Sequence, residues 1–480
     1  MKIHPTGVSF HPNNARVLIR PFIPADPVKV ANTIARILTL SEAACEEELG
    51  KAIADFSNRH LEVHAIWMRH YEKVAHHLGE PVSERRRLLI GAYFSGEYAL
   101  ESAALFNPSM VPHPDQSGTA PGEMRFIMSL RATGEGHISS IEFRTGVIHA
   151  DHTVSIDEIS PFVTVPELVP DQTYIKGIFI HKLAEMGLDN EFSQSVMAQL
   201  KPSFSLRELN DAIERTTCPE ELEQEVLRTM DRVRWLAESN YQVHFRRALP
   251  ISERIIFPVS SNESNGIEDA RFVRFVHDDG EVVYYATYTA YNGHTILPQF
   301  LQTTDFQRFD VVTLNGRSVQ NKGMALFPRR VNGCFAMISR QDDENIFLMF
   351  SENLHFWDEP ILLQQPIEPW EFMKIGNCGS PIETEEGWLL LTHGVGPMRK
   401  YCIGAILLDL DDPSKVIGHL KEPLIAPEGN EREGYVPNVV YSCGAMVHGK
   451  RLILPYGMSD SASTIVTIDL ADLLENIRKV

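Results

Sequence analysis

The chain predicts a mainly β protein, a five-bladed β-propeller with an N-terminal α-helical domain and an α-helical insertion between the first two blades. Three observations predict it. First, five hairpin signals place a glycine turn beside β-rich runs: Pro121-Gly122 before Met124–Leu130, Asp279-Gly280 between Phe272–Val276 and Val282–Ala286, Asn332-Gly333 before Cys334–Ile338, Glu386-Gly387 before Trp388–Leu391, and His448-Gly449 before Arg451–Leu454. Second, the last four turn glycines, at 280, 333, 387 and 449, are 53, 54 and 62 residues apart; the first gap, of 158, contains a helix-like zone. Third, Asp305-Phe-Gln-Arg-Phe-Asp310 echoes Asn353-Leu-His-Phe-Trp-Asp358 at an offset of 48 residues. A period near 50 with several strands in each repeat is the pattern of propeller blades.

The remaining elements follow from periodicity. Between about Asp26 and Leu105, segments such as Val28–Leu38 and Leu61–Tyr71 repeat apolar residues at intervals of three and four with few Gly or Pro interruptions, which predicts helices. A second helical zone runs from about Phe179 to Val243. Within it Ser205-Leu-Arg-Glu208 is a capping-box start ahead of Leu209, Ala212 and Ile213. Thr217-Cys-Pro-Glu-Glu then opens a long helix through Trp235, with Pro219 near its first turn. The expected division is a helical region at 1–105, a first blade region at 106–178, a helical insertion at 179–245 and the remaining blades at 246–480.

Composition excludes several function classes. The 480 residues hold 44 Lys+Arg against 64 Asp+Glu, a net charge of −20, which opposes a nucleic-acid or anionic-membrane surface. No apolar run is long enough for a membrane span, and the N-terminus lacks the apolar core of a signal peptide. The six cysteines are scattered, without a CxxC pair or a metal-ligand spacing, as expected of thiols in a reducing compartment, so a cytoplasmic location is expected and no metal is implied. GxGxxG, P-loop, GxSxG and HExxH motifs are absent, which argues against common nucleotide, hydrolase-elbow and zincin chemistry.

A propeller collects polar side chains on its axis, so polar motifs near the hairpins are read together. Asn265-Gly-Ile-Glu268-Asp269-Ala-Arg271 runs directly into a strand. There Asp269 is a candidate general acid or base, with Glu268 or Arg271 as its orienting partner; the plain alternative is a solvated acidic turn. Leu130-Arg131-Ala-Thr-Gly-Glu135-Gly-His137-Ile-Ser-Ser140 gathers Arg, Glu, His and Ser around two glycines, a candidate pocket wall or an ordinary loop. Arg131, Lys322, Arg340, Lys374 and His393 form an anion site if they converge, since Arg forks and Lys point charges suit phosphate or carboxylate; local surface pairing is the alternative for each. Trp388 and the run of Tyr284, Tyr285, Tyr288 and Tyr291 offer rings for sugar stacking, although alternation puts half of the tyrosines in the core.

Taken in order, several motifs resemble glycoside hydrolase family 130. They are Gly266-Ile-Glu-Asp-Ala-Arg271, Ala325-Leu-Phe-Pro-Arg-Arg-Val-Asn-Gly333, Lys374-Ile-Gly376, Pro381-Ile-Glu-Thr-Glu-Glu-Gly-Trp388, His393-Gly394, Leu407-Leu-Asp-Leu-Asp-Asp-Pro-Ser414, Glu433-Gly-Tyr-Val-Pro-Asn-Val-Val-Tyr-Ser-Cys-Gly444 and Tyr456-Gly-Met-Ser-Asp460. The likeness is dense over roughly 255–475 and looser around Asn107-Pro-Ser109 and Arg131. It implies a five-bladed propeller and an inverting enzyme of β-mannosides. Such an enzyme is either a phosphorylase giving α-mannose 1-phosphate or a hydrolase of β-1,2-linked mannosides. Asp269 matches the catalytic acid, which acts through a sugar hydroxyl relay, with Ala270 in place of the usual Pro. The resemblance further implies a phosphate- or substrate-binding set of Arg131, Lys322, Arg340, Lys374, His393, Tyr401 and Asp460, and a pocket with Asn107, Glu135, His137, Glu268 and Arg271. The Arg-Asn pair common before Leu-Phe-Pro in the phosphorylases is here Lys322-Gly323.

The two chemistries differ in what they require. Phosphate is already anionic at neutral pH and needs cations to position it. Water needs a second carboxylate about 6.5–9.5 Å from the acid, for which Glu383, Glu431, Glu433 and Asp460 are candidates. The retained cations favour phosphorolysis of a mannose-containing oligosaccharide, with inorganic phosphate as co-substrate and no other cofactor. Hydrolysis is the alternative, and a non-catalytic glycan-binding propeller the second alternative. The amphipathic helical regions are candidates for a homo-oligomer interface.

Overall fold

The computed structural model describes residues 1–216, 223–246, 249–294 and 296–479. The expected helix start at Thr217-Cys-Pro-Glu-Glu lies outside the described residues.

The N-terminal helices are α1 (Pro27–Leu38), α2 (Glu42–Phe56), α3 (Val63–Val74) and α4 (Glu84–Tyr93). Asp26 caps α1 by accepting from the Val28 amide at 2.9 Å, with Pro27 in the first turn where its missing N–H is no loss. The apolar stripe read from the sequence is buried: Val30, Ile34 and Ile37 of α1 pack with Cys45, Leu49, Trp67, Leu89 and Ile90. Helices α3 and α4 approach so closely that a β-carbon on Gly91 would lie 1.9 Å from the Trp67 carbonyl oxygen, so only glycine is admitted there.

The insertion holds α5 (Lys176–Glu185), α6 (Glu191–Ala198), α7 (Leu206–Arg215) and α8 (Glu223–Glu238) around Phe179, Val196, Phe204, Leu209, Ile213 and Val233. Ser205 and Glu208 make the capping box expected from their spacing. Lys182 Nζ donates to the Leu314 carbonyl at 2.9 Å and His181 meets Phe356 edge-on, which seats α5 on the β portion.

Among the described residues most strands fall into five antiparallel groups, apart from the two-stranded pairs Val17–Pro21 with Ser95–Ala99 and Thr173–Ile175 with Ser203–Ser205. The first is Ala104–Pro112, Met124–Thr133 and Ser139–Ile148; the second is Gly266–Val276, Val282–Tyr291, Ile296–Thr303 and Arg308–Thr313. A parallel bridge from Gly266 to Ser139 joins them into one sheet. The third is Ala325–Leu326, Phe335–Ser339, Ile346–Ser351 and Pro360–Gln364. The fourth is Lys374–Asn377, Gly387–Val395, Tyr401–Leu408 and Val416–His419. In the fifth, Val440–Tyr441, Arg451–Met458 and Ala462–Asp469 are completed by the N-terminal strand Ile3–Phe10. The predicted turn glycines fall in five different groups, Gly122, Gly280, Gly333 and Gly449 in strand connections and Gly387 at the first position of its strand, all at positive φ. The echoing segments at 305–310 and 353–358 both span the third-to-fourth strand connection of their groups.

A buried ion network ties the N-terminal region to the first group. Arg16, Glu101, Glu142 and Arg144 are each at most 2% exposed, and the two arginines lie 2.7–3.1 Å from the two carboxylates. Buried charges persist only when paired and hydrogen-bonded in this way. Burial and then the Glu142 charge push Glu101 up to about 8, whereas Arg16 and Arg144 hold Glu142 low against its burial.

Candidate active site

The site is built on two matching distortions. In the first group Phe106 pairs with Arg131 and Ser109 with Ser129, so Asn107 and Pro108 face a single residue. In the second, Glu268 pairs with Thr289 and Arg271 with Thr287, so Asp269 and Ala270 do the same. Such bulges re-aim a side chain. Both bulge residues take left-handed backbone, φ 49° for Asn107 and 53° for Asp269, a conformation Asn and Asp tolerate best among residues with a β-carbon. Asn107 Nδ2 donates to Asp269 Oδ1 at 2.7 Å.

Cations surround the paired acids. Arg131 donates to Glu268 Oε1 at 2.8 Å, reaches Asp269 Oδ1 at 3.4 Å, is anchored by Ser139 Oγ at 3.1 Å and lies 5.1 Å over the Phe106 ring. Lys322 Nζ donates to the other Glu268 oxygen at 2.5 Å. Burial alone would raise the pKa of Asp269, but Arg131, Arg271, the Asn107 hydrogen bond and Lys322 together hold it below the ordinary carboxylate value. Asp460 goes the other way: burial, then the charge of Asp269, push it up to about 6, with Arg131 and Arg399 opposing. Two nearby carboxyl groups with diverging proton affinity are what acid–base chemistry requires.

A chain of contacts continues from Asp269 to the other cations. Arg271 donates to the Asp269 carbonyl at 3.1 Å and to the Tyr441 hydroxyl at 2.6 Å. The Tyr441 ring lies 4.9 Å from His393, whose other neighbour is Tyr401, stacked at 5.9 Å. Arg340 Nη1 donates to His393 Nε2 at 2.9 Å; guanidinium has no acceptor, so this histidine is neutral with its proton on Nδ1. Burial and the charges of Arg340 and Arg271 hold it well below the usual imidazole value, in agreement. Arg340 and Lys374 converge on one carboxylate, Asp343, at 3.2 and 2.9 Å. The glycine of Lys374-Ile-Gly376 is required here, because a β-carbon on it would lie 2.4 Å from His393 Cε1 and 3.0 Å from Arg340 Nη1.

The structure therefore brings Asn107, Arg131, Glu268, Asp269, Arg271 and Lys322 together, connects Arg340, Lys374, His393 and Tyr401 to them through Tyr441, and sets Asp460 within electrostatic reach. His137 lies at the exposed edge, stacked on Tyr435 at 5.2 Å, and Glu135 is exposed in the same turn. Glu431 accepts from the Tyr456 hydroxyl at 2.7 Å and its carbonyl accepts from Ser459, next to Asp460, while Glu433 is exposed. Glu383 is placed elsewhere. Both its oxygens accept from Arg329, at 2.8 and 2.7 Å, and it lines a cavity of ≈ 510 Å³ with Arg274 and Pro328, whose lining does not include Asp269.

Sequence reasoning passed over Tyr441 and Asp343. Tyr441 stands inside a motif used for the resemblance, and its link to Arg271 spans 170 positions. Asp343 sits in the acidic turn Gln341-Asp-Asp-Glu-Asn345, where composition speaks only for a hairpin. Among the described residues no group of three or more His, Cys, Asp or Glu side chains is arranged to hold a metal ion, and no helix is long and apolar enough to cross a membrane.

Residues 235–479 match the model of glycoside hydrolase family 130, described as beta-1,4-mannooligosaccharide phosphorylase. A 1,2-beta-oligomannan phosphorylase of Thermoanaerobacter sp. is 37% identical over 233 residues, covering 46% of this chain and 75% of that protein. A beta-1,2-mannobiose phosphorylase of Listeria innocua is 30% identical over 231 residues, covering 46% of this chain and 63% of its own length. Among solved structures, the beta-1,2-mannobiose phosphorylase from Listeria innocua in complex with beta-1,2-mannobiose aligns over 79% of this chain and 93% of that one, at 20% identity and a TM-score of 0.47. The protein is thus an enzyme acting on glycosides. The chain belongs to glycoside hydrolase family 130.

Proposed function

We propose that this enzyme cleaves β-mannosides with inversion by phosphorolysis, releasing α-mannose 1-phosphate from a mannose-containing oligosaccharide. The observation that carries the proposal is the convergence of Arg340 and Lys374 on a single anionic group beside a neutral His393. That arrangement suits a phosphate nucleophile, which requires positive charge to hold it and no base to activate it. The names of the relatives point the same way.

Asp269 is the proton donor in this reading, with Asn107 and Arg271 orienting it and Arg131, Glu268 and Lys322 setting its charge environment. In the free enzyme the surrounding cations favour its ionised form. Bound sugar removes water from it, and a phosphate anion nearby offsets the cations, and both changes raise its proton affinity in the productive complex. Asp460, His393 and Tyr401 contribute sugar or phosphate contacts, and His137 with Glu135 line the pocket edge.

The five strand groups are five propeller blades in this reading, the fifth closed by the pairing of Ile3–Phe10 with Ala462–Asp469. The helical region at 1–105 and the insertion at 179–245 are additions to that core. A cytoplasmic location fits, because a charged sugar phosphate made inside a cell is retained.

The test is product analysis by NMR on β-1,2- and β-1,4-linked manno-oligosaccharides with and without inorganic phosphate. α-Mannose 1-phosphate formed only with phosphate is the expected result. Free mannose, formed at a rate indifferent to phosphate, overturns the proposal.

A further inference from the structure

Asp343 bridges Arg340 and Lys374, the two cations that the phosphorolytic reading gives to phosphate. It sits in the turn between the strands Phe335–Ser339 and Ile346–Ser351, with φ 62°. Its neighbour Asp342 builds that turn, accepting from the amides of Glu344 at 2.9 Å and Asn345 at 2.8 Å and from the Asn345 side chain at 2.6 Å. Asp343 is left to reach from the third strand group to the fourth. One of its oxygens meets Arg340 Nη2 at 3.2 Å and the other meets Lys374 Nζ at 2.9 Å.

The two sides of this contact differ in burial. The Arg340 side chain is 10% exposed, tied to His393 and packed beside Gly376, so the cation stays in place without Asp343. The Asp343 side chain is 50% exposed on a turn, where its further partner is the Asn321 side chain, so water can replace its contacts when it leaves. A carboxylate bridging a guanidinium and an ammonium through its two oxygens makes the contacts that two phosphate oxygens would make.

We infer that Asp343 is a built-in anionic competitor: it fills the phosphate seat between Arg340 and Lys374 in the free enzyme and is displaced when phosphate binds. The inference rests on the phosphorolytic reading and adds a control to it. Phosphate pays the cost of displacing Asp343, so its affinity is set below what the cations alone would provide, and the returning carboxylate helps to expel the sugar phosphate product.

Asp343→Asn and Asp343→Gly both suit a positive φ and remove the charge. Inorganic phosphate binding to the whole enzyme is measured by calorimetry, together with initial rates against phosphate and against mannoside. Both variants are expected to bind phosphate roughly three- to tenfold more tightly and to lower its KM by a similar factor, with the mannoside KM unchanged. If phosphate binds the wild type and binds both variants equally or more weakly, Asp343 is a positioning residue for the cations; the inference is then overturned while phosphorolysis stands. If phosphate binds none of the three proteins and the wild type releases free mannose, phosphorolysis falls and the inference with it.

Discussion

Asp269 and Asn107 stand 162 positions apart in the chain, yet they occupy matching bulges of two neighbouring strand groups and share a 2.7 Å hydrogen bond. Both hold left-handed backbone, a conformation that persists for a residue with a β-carbon only where its surroundings determine it. The pairing gives Asp269 a donor that stays in place without substrate. One carboxylate oxygen is therefore oriented by the fold before any sugar arrives.

Replacing the acid tests its role directly. Asp269→Asn keeps the shape and removes the transferable proton, so phosphorolysis is expected to fall by roughly a thousandfold or more, at the upper part of the range for general acid catalysis. The rate of α-mannose 1-phosphate formation by the purified variant checks this, alongside circular dichroism to confirm its fold.

If phosphate sits between Arg340 and Lys374, loss of either cation affects phosphate more than sugar. Lys374→Ala removes one of the two charges that meet at Asp343, and the KM for phosphate is expected to rise roughly tenfold or more with a smaller change in the KM for mannoside. Steady-state kinetics with each substrate varied in turn reads the difference.

Asp460 carries a stability penalty whose pH dependence has a definite sign. Its carboxyl titrates near 3.8 when unperturbed and is raised to about 6 in the fold, so its contribution is fully present below about 3.8 and is lost as pH rises through about 6. Asp460→Asn is therefore expected to stabilise the protein at pH 7, by at most about 3 kcal/mol, with the gain gone near pH 4. Asp269 is opposite in sign, since its lowered pKa stabilises the fold above the unfolded value and that contribution is lost as pH falls through the folded one. Denaturant unfolding at a series of pH values measures both.

Tyr435 stacks on His137 with 68% of its own surface exposed, a ring available at the site's edge. Tyr435→Ala is expected to raise the KM for longer manno-oligosaccharides several-fold while leaving the KM for phosphate unchanged. Kinetics on a chain-length series shows whether the effect grows with added sugar units.

The buried network around Arg16 and Arg144 ties the N-terminal region to the strand Ser139–Ile148. Glu142→Ala leaves two guanidinium groups short of a partner in a site closed to water, and a loss of about 3–5 kcal/mol is expected in equilibrium unfolding.

Much of this architecture was legible before any coordinates. The glycine turns at 122, 280, 333, 387 and 449 are local signals, since a positive φ at a tight turn selects glycine whatever surrounds it. Helix α7 was equally plain, because the Ser205–Glu208 capping box depends on four consecutive residues. Tyr441, Asp343 and the fate of Glu383 were not legible. Each depends on a partner brought from another strand group, Arg271 for the first, Lys374 for the second and Arg329 for the third.

Residue order was enough for the mainly β class, the helices and the family, because turns, periodicities and motifs are properties of neighbours in the chain. Tertiary packing alone decided which charges meet. It set a neutral His393 against Arg340, divided Asp269 from Asp460 in proton affinity and placed Asp343 between two cations. Electrostatic energy depends on separation in space and on exclusion of water, and neither is written in the spacing of residues along the chain.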